Sequence, residues 1–420
     1  MKILIVSNIE PSDTNACGNT YGNWLTGWKD TEVSCIYCRD AIPYNEFCDS
    51  YYVVSPISIA KNILTPWRIG RYIKRSEIGS HSASSIEAGM VKMTKTKNFS
   101  LFHVIHDMLV STCIWQNKRY KKFIQDFNPD IVFTFAKSEA FIYQNLKYIQ
   151  RYTHAKTILF FADDMYSIYQ DNSLIHLIFK HRFPKIATMC DKNYGASVLM
   201  CKTYAKQFGI SLTPLYKGCL INDVKTHINK PVRIVYAGNL YYGREKTLGT
   251  IAKALKKINS NGQIAKLEIY TNAIITPEIN ALLNIDGSSQ IMGCKPFHEI
   301  QQIMKESDIV LHVESFDPEN IKIVRLSYST KISDCLQSGA MMIIVGPDGI
   351  ASVEEGKLID GVEVITEERK IELRLREILN EPNSVIDAAS RTNGIAREKF
   401  PIDVVRKRLH DDFVQLINEN

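Results

Sequence analysis

The chain has 420 residues, of which 45% are hydrophobic and 23% are charged, a length and balance that predict two globular domains of about 200 residues each. The formal net charge of +6 reflects 51 basic and 45 acidic residues, too small an excess to indicate a nucleic acid partner. The apolar start, Lys2–Val6, is too short for a signal peptide, and no run approaches the roughly 20 apolar residues of a membrane span. We therefore expect a soluble, cytoplasmic protein, and peripheral contact with the inner face of the membrane stays open.

The first half of the chain alternates short apolar runs with amphipathic stretches. Helices are predicted at about 20–28, 113–127, 138–150 and 194–208. The predicted strands are Lys2–Val6, Val33–Tyr37, Tyr51–Val54, Asp130–Phe135 and Thr157–Phe161. The stretch 56–100 fits no element, and its basic residues suit either a solvated face or a membrane-facing patch. These residues are Arg68, Arg71, Lys74, Arg75, Lys92, Lys95 and Lys97.

The second half shows the same alternation more clearly, with strands that are apolar throughout. The predicted strands are Val232–Ala237, Lys266–Tyr270, Asp308–Val313 and Met341–Val345. The predicted helices are Glu245–Asn259, Pro277–Leu283, Glu299–Lys305, Thr330–Gln337 and a final helix, Pro401–Ile417. Fully apolar strands between helices predict parallel sheets covered on both faces. We expect an α/β protein with two Rossmann-like domains, 1–225 with the closing helix 401–420, and 226–400.

The ten cysteines predict no disulfide framework, because an unexported chain keeps its thiols reduced. Cys35 and Cys38 have the spacing of half a zinc site, but no second pair follows, so packing in a strand is favoured over metal or redox use. His103 and His106 are interpreted as core or surface histidines, with acceptor contact or catalysis as the alternative. No metal site is predicted.

A loop after the first strand of the second half carries the residue types of a phosphate site. Gly238 follows the strand, Gly243 loosens the loop, and Arg244 precedes a helix whose first N–H groups can hold an anion. The alternative is a plain strand-to-helix turn with a solvated arginine. The loop is neither a Walker loop nor a dinucleotide-binding glycine motif.

A second polar group follows the strand at 308–313. Glu314 comes directly after it, and Ser329 or Thr330 is placed to cap the next helix. Lys331 and Asp334 are three residues apart, so they share a helical face. On that face Lys331 would attract an anion, and Asp334 would accept hydrogen bonds from ribose hydroxyls. The alternative is a capped surface helix with an ordinary ion pair.

The first half offers weaker candidates at strand ends. Asp163 and Asp164 end a buried strand, where adjacent carboxylates are costly to bury. They are interpreted either as functional residues or as the N-terminal cap of a helix. Gly18 lies in a glycine-containing loop after the first strand. The alternative interpretation of this loop is a flexible turn without a binding role. Ligands of open α/β sheets bind at these strand ends, so all three residues are candidates.

The second half resembles glycosyltransferase family 4 and its relatives in bacterial surface-polysaccharide synthesis. In that family a Gly-Arg-Leu turn, with a lysine five residues past the arginine, holds the donor diphosphate. Gly238, Asn239 and Arg244 fall on this pattern, with Asn239 in place of the arginine and Arg244 in place of the lysine. Asp334 takes the place of the ribose-binding glutamate. The family's spacing of two glutamates is not kept, which implies an inserted loop at 316–328 and puts the role of Glu314 toward the donor sugar in doubt.

The resemblance implies a GT-B fold, two Rossmann-like domains facing a cleft, and a retaining transfer from a UDP- or GDP-sugar to a saccharide or lipid-linked acceptor in cell-envelope polysaccharide synthesis. It implies neither cofactor nor metal, because cations stabilise the leaving diphosphate. Arg244 and Lys331 are expected to be exposed, so that removing them leaves folding unchanged. The catalytic candidates are Asp163, Asp164, Arg244 and Lys331. The donor-binding candidates are Gly18, Gly238, Asn239, Arg244, Glu314, Ser329, Thr330, Lys331 and Asp334.

Other functions remain open at this point. The same fold serves sugar-nucleotide epimerases, which rearrange a sugar without transferring it. Asn239 and Asp334 depart from the family pattern, which favours a degenerate protein that binds a sugar nucleotide without catalysis. A dinucleotide-dependent oxidoreductase is disfavoured because its glycine motif is absent.

Overall fold

The computed structural model describes residues 1–13, 15–80, 99–168 and 173–419. Part of the basic stretch at 68–97, including Lys92, Lys95 and Lys97, lies outside the described residues. The side chains of His103 and His106 also lie outside them.

The chain divides into two compact units. Unit 1 comprises 1–195, 201–214 and 406–420, and unit 2 comprises 196–200 and 215–405. The sequence-based division was placed later, at 225/226, with the closing helix in the first domain. Arg406, in that closing helix, donates from Nε to the carbonyl of Asn23 at 2.7 Å, and the Tyr194 hydroxyl donates to Asp412 at 2.7 Å. The last residues of the chain therefore pack within unit 1.

The described strands of unit 1 form one sheet in the order β4-β3-β2-β1-β5-β6-β7-β8, parallel except for the antiparallel edge strand β4. The strands are β1 Lys2–Ser7, β2 Glu32–Tyr37, β3 Ser50–Val53, β4 Arg71–Lys74, β5 Ile131–Phe135, β6 Lys156–Phe161, β7 Lys192–Gly195 and β8 Thr213–Pro214. The helices up to β8 are α1 Ala16–Leu25, α2 Pro56–Lys61, α3 Phe99–Ser111, α4 Lys118–Phe127, α5 Ala140–Tyr152, α6 Met165–Ile168, α7 Leu174–Met189 and α8 Val198–Phe208. The five predicted strands are found to within a residue at each end.

Helix α1 begins earlier than its apolar pattern indicates. Asn15 caps it, accepting a hydrogen bond from the backbone N–H of Gly18 at 2.8 Å. Gly18 is thus a buried residue of the first helical turn and not part of a flexible loop. A Cβ at Gly18 would lie 2.2 Å from the backbone of Ser12, so only glycine permits this approach.

Aromatic side chains fill the core of unit 1 between the sheet and its helices. Trp24 stacks on Phe133 with ring centroids 5.8 Å apart and meets Phe160 edge-on at 4.8 Å. Trp28, in the segment after α1, meets Phe413 of the closing helix edge-on, with ring centroids 5.5 Å apart. Such pairs add about 0.5–1.5 kcal/mol each beyond their buried area.

The described strands of unit 2 form a fully parallel sheet in the order β11-β10-β9-β12-β13-β14. The strands are β9 Val232–Ala237, β10 Ala265–Tyr270, β11 Ser289–Gly293, β12 Ile309–Val313, β13 Met341–Val345 and β14 Glu363–Ile365. The helices are α9 Arg244–Ile258, α10 Pro277–Leu283, α11 Phe297–Glu306, α12 Pro318–Val324, α13 Lys331–Ser338, α14 Ala351–Gly356, α15 Ile371–Asn380 and α16 Pro382–Lys399. The closing helix α17, Ile402–Asn418, belongs to unit 1 from residue 406 onward. Aliphatic side chains of the strands pack under Leu248 and Leu255 of α9.

The segment 316–328 is more than the inserted loop that the resemblance implied. It contains α12, which Asp317 caps by accepting from the backbone N–H of Glu319 at 3.1 Å, with Pro318 at its first position.

The ten cysteines are all free thiols, and Cys35 and Cys38 are buried in or beside β2. In the described part of the chain, no helix has the length and apolar character to cross a membrane.

Candidate functional site

Strands β9 and β12 place the candidate residues of unit 2 side by side. They pair in parallel through Ile234 and Ile309, although they are not consecutive along the chain. The chain builds the sheet outward from β9 in one direction and from β12 in the other, so the strand order reverses between them. The carboxyl ends of strands at such a reversal are where open α/β sheets bind ligands.

The turn after β9 depends on an unusual backbone. Tyr242 and Gly243 both have positive φ angles, +61° and +74°, which carry the chain from β9 into α9. A Cβ at Gly243 would lie 2.6 Å from Ser315 Oγ, so glycine is required by both the φ angle and the space. The turn closes where Asn239 Oδ1 accepts from Arg244 Nη1 at 2.9 Å.

Arg244 is buried at 8% exposure and holds Glu314, which corrects the expectation of an exposed strand-end cation. Its Nη2 donates to both carboxylate oxygens of Glu314 at 2.9 and 3.1 Å, and its Nε donates to the carbonyl of Val313 at 3.1 Å. Nη1 carries two hydrogens, and Asn239 accepts one of them. The other has no acceptor among the described residues, so it can donate to a ligand. Removing Arg244 would therefore leave a buried carboxylate unpaired.

His312 completes this group and was not singled out from the sequence. Its Nε2 lies 3.0 Å from Glu314 Oε1, and both residues are almost fully buried. Burial lowers the pKa of His312, so the ring is neutral near pH 7 and donates from Nε2. Burial raises the pKa of Glu314, but hydrogen bonds from His312 and Arg244 outweigh it, and the net pKa lies below its usual value. Glu314 is therefore an ionised carboxylate locked by two donors.

Lys331, the first residue of α13, places an ammonium beside this group. A Cβ built on Gly238 would lie 2.5 Å from Lys331 Nζ, so the glycine provides the space that the ammonium occupies. Burial, then the positive charge of Arg244, lowers the pKa of Lys331 to about 8. Among the described residues, Lys331 Nζ has neither a hydrogen-bond nor an ion-pair partner. Because a buried charge is costly unless it is paired, this position is electrostatically suited to an anion.

The start of α13 adds backbone polarity to the same place. Thr330 is its N-cap residue, but no side chain caps the helix, which corrects the expectation that Ser329 or Thr330 does so. Ser329 instead donates its backbone N–H to Ser352 Oγ at 3.4 Å, and its carbonyl accepts from Ile332. The positive end of the α13 dipole thus acts together with Lys331.

Asp334 forms its ion pair with Lys217 at 3.3 Å, and not with Lys331 as the spacing of three suggested. Lys217 also lies over the ring of Phe297 at 5.6 Å from its centroid. Burial raises the pKa of Asp334, and Lys217 partly offsets this. Lys217 stands far away in the sequence, within the stretch between the two domains, so nothing local marked it.

The remaining candidates lie in unit 1. Asp164 is 1% exposed, and its Oδ1 accepts from the backbone N–H of Ser167 at 3.0 Å and from the hydroxyl of Tyr204 at 2.6 Å. It therefore caps the short helix α6. Asp163 beside it is exposed. Within unit 2 the fold brings together Gly238, Asn239, Arg244, Glu314 and Lys331.

Solved structures share this architecture at low sequence identity. The sucrose-phosphate synthase of Thermosynechococcus elongatus is 11% identical over 100% of both chains, with a TM-score of 0.63. Anabaena Alr3699/HepE, solved in complex with UDP, is 12% identical over 99% of this chain and 100% of its own, with a TM-score of 0.62. A Listeria monocytogenes protein described as a UDP-N-acetylglucosamine 2-epimerase is 9% identical over 100% of this chain and 97% of its own, with a TM-score of 0.56.

No model of a known protein family and no curated protein sequence matches the chain. The two Rossmann-like units, each built on a mainly parallel sheet, and the structural similarity along the whole chain assign this protein to the GT-B fold. The fold class predicted from the sequence is thereby confirmed. At these identities the similarity establishes the fold, and the activity has to be argued from the site.

Proposed function

We propose that this protein is a glycosyltransferase that binds a nucleoside diphosphate sugar, with UDP as the nucleotide, in unit 2. The observation that carries the proposal is the ammonium of Lys331, which lies beside Gly238 at the start of α13 and has no partner in the part of the chain that the structure describes. A diphosphate supplies the negative charge that this position lacks. The UDP complex of the Anabaena protein with the same fold supports this choice of nucleotide.

The chemistry needed from the protein is charge stabilisation. Breaking the bond between sugar and diphosphate builds negative charge on the leaving phosphate. Lys331, the N-terminus of α13 and the remaining Nη1 hydrogen of Arg244 are donors for that charge. These fixed cations take the place of a metal ion in the proposal. Glu314 is occupied by Arg244 and His312, so we assign it to positioning Arg244 and not to the donor sugar.

The finer assignments rest on the family resemblance. We infer a retaining transfer in which a donor phosphate oxygen accepts the proton of the attacking hydroxyl, so that no protein nucleophile is needed. The acceptor is a saccharide or a lipid-linked saccharide of the cell envelope, bound by unit 1. Asp163, whose carboxylate is exposed, stays the stronger candidate for acceptor contact, because Asp164 already caps α6.

An epimerase acting on a UDP-sugar is the second candidate, because the Listeria protein has the same fold. Incubating the protein with a panel of UDP-sugars and saccharide acceptors separates the two. Glycosyltransferase activity gives free UDP together with a lengthened acceptor. A sugar changed in configuration, without dependence on an acceptor, would instead establish the epimerase.

Calorimetry with UDP in the presence of EDTA tests the donor site directly. We expect binding without a divalent metal, and we expect uridine, which lacks the phosphates, to bind at least tenfold more weakly. Lys331→Met should lose most of the UDP affinity and leave the weak uridine binding unchanged. Binding that appears only when magnesium or manganese is added, or equal affinity for UDP and uridine, would contradict the proposal.

A further inference from the structure

A short surface segment of unit 1 carries an unusual concentration of positive charge. Between Asp49 and Glu77 the sequence has no acidic residue but has five basic ones. All five are exposed: Lys61, Arg68, Arg71, Lys74 and Arg75. Among the described residues, Lys61, Arg68 and Arg71 have no ion-pair partner. The residues 61–75 are called the docking loop below.

The same loop exposes large apolar side chains between its cations. Leu64 is 88% exposed, Trp67 is 59% exposed and Ile63 is 49% exposed. Helix α3, which packs against α2 at the start of the loop, adds exposed Met108 at 63%. Single exposed apolar residues are ordinary, but several together beside cations indicate an interaction surface.

The loop is held in place, so the exposure of these side chains is built into the fold. Asn117 donates from Nδ2 to the carbonyls of Pro66 and Ile69, at 2.7 and 2.8 Å. Ile59 and Ile69 are fully buried at either side of the exposed stretch. Because the backbone is fixed by these anchors, Leu64 and Trp67 remain directed away from the core of unit 1.

We propose that the docking loop binds the protein to an anionic phospholipid membrane. Arginine and lysine attract acidic headgroups, while an indole and a branched aliphatic side chain enter the boundary between headgroups and acyl chains. Leu64 and Ile63 expose aliphatic surface beside the indole of Trp67, and a base does not stack on aliphatic groups, so the loop fits a lipid surface better than a nucleic acid.

Co-sedimentation of the full-length protein with vesicles tests the proposal. We expect binding to vesicles of phosphatidylglycerol and phosphatidylcholine, weak binding to pure phosphatidylcholine, and loss of binding as salt is raised. Trp67 fluorescence should shift to the blue in the acidic vesicles, because its indole leaves water. Trp67→Phe should retain binding and lose most of that shift, since Trp24 and Trp115 are already buried and Trp28 packs against His410 and Phe413.

Paired variants separate binding through the docking loop from nonspecific binding by other exposed residues. Leu64→Ser should lower the vesicle partition coefficient about tenfold, and Arg68→Gln with Arg71→Gln should lower it about fivefold per charge removed. The matched controls are Leu358→Ser, whose leucine is 72% exposed in unit 2, and Lys253→Gln with Lys256→Gln on the exposed face of α9. Neither control should change partitioning by more than twofold.

Equal binding to neutral and acidic vesicles, absence of binding, or equal losses in the controls would overturn the proposal. Tighter binding to a single-stranded oligonucleotide than to acidic vesicles would overturn it in favour of a nucleic acid. UDP affinity measured without vesicles reports on the donor site alone. The membrane proposal and the proposed function can therefore fail separately.

Discussion

Lys331 is the residue on which the proposed donor site depends. Its ammonium is largely buried next to Gly238 and faces the charges of Arg244, Glu314 and Asp334. Burial and Arg244 lower its pKa to about 8, so keeping Lys331 protonated costs free energy when no ligand is bound. An anion that binds there relieves the cost and raises the pKa again.

This pKa predicts how UDP binding depends on pH. The protonated lysine is the form that attracts the diphosphate, and that form declines as pH rises through about 8. UDP affinity should therefore fall up to tenfold between pH 7 and pH 9, measured by calorimetry. Lys331→Met should bind weakly at both pH values with little dependence on pH. A wild-type affinity that is constant or rises over this range would contradict the assignment.

Arg244 is predicted to matter for folding as well as for the ligand. Arg244→Ala leaves the carboxylate of Glu314 buried without its main partner, a change that costs about 3–5 kcal/mol of folding free energy. Urea unfolding provides the measurement. Lys246→Ala, at an exposed lysine of the same helix 3.6 Å from Asp317, is the control and should cost less than about 1 kcal/mol. A loss below about 1 kcal/mol for Arg244→Ala would contradict the predicted cost of breaking the buried pair of Arg244 and Glu314.

The turn between β9 and α9 is the element that creates space for the cation. A Cβ on Gly238 would lie 2.5 Å from Lys331 Nζ and 2.9 Å from Tyr236 Oη. Gly238→Ala should therefore displace the ammonium and lower UDP affinity at least tenfold. The lysine end is flexible, so thermal unfolding should change little. Gly394→Ala in α16, where a Cβ meets nothing within 4 Å, is the control. Unchanged UDP affinity in Gly238→Ala would place the diphosphate elsewhere.

The agreement between sequence and structure differs from element to element for physical reasons. Val232–Ala237 and Met341–Val345 were predicted at their observed bounds, because parallel strands covered on both faces are apolar without interruption. Helix α7, Leu174–Met189, was missed because it holds Pro184 and its apolar residues follow no clean helical period. Helix α12 was missed because a short helix at 318–324 was taken for an insertion.

At the scale of the whole molecule, UDP should stabilise unit 2 more than unit 1. At 100 times its dissociation constant a ligand adds about 2.7 kcal/mol of stability to the part of the protein that binds it. Hydrogen exchange should therefore show the strongest protection by UDP at 236–247 and 326–338. The strands of the unit 1 sheet serve as the internal control. Strongest protection in unit 1 would contradict the assignment of the donor site to unit 2.

The sequence by itself determined the α/β class, the two-domain organisation and the presence of Gly238, Arg244, Glu314 and Lys331 at strand and helix ends. These features follow from local patterns of apolar residues and turns. Only the tertiary structure decided which strands are neighbours, because pairing of β9 with β12 joins segments about 75 residues apart through contacts that no local pattern encodes. That pairing places Arg244 against Glu314 and His312. The tertiary structure also pairs Asp334 with Lys217 and leaves Lys331, within the described part of the chain, without a hydrogen-bond or ion-pair partner.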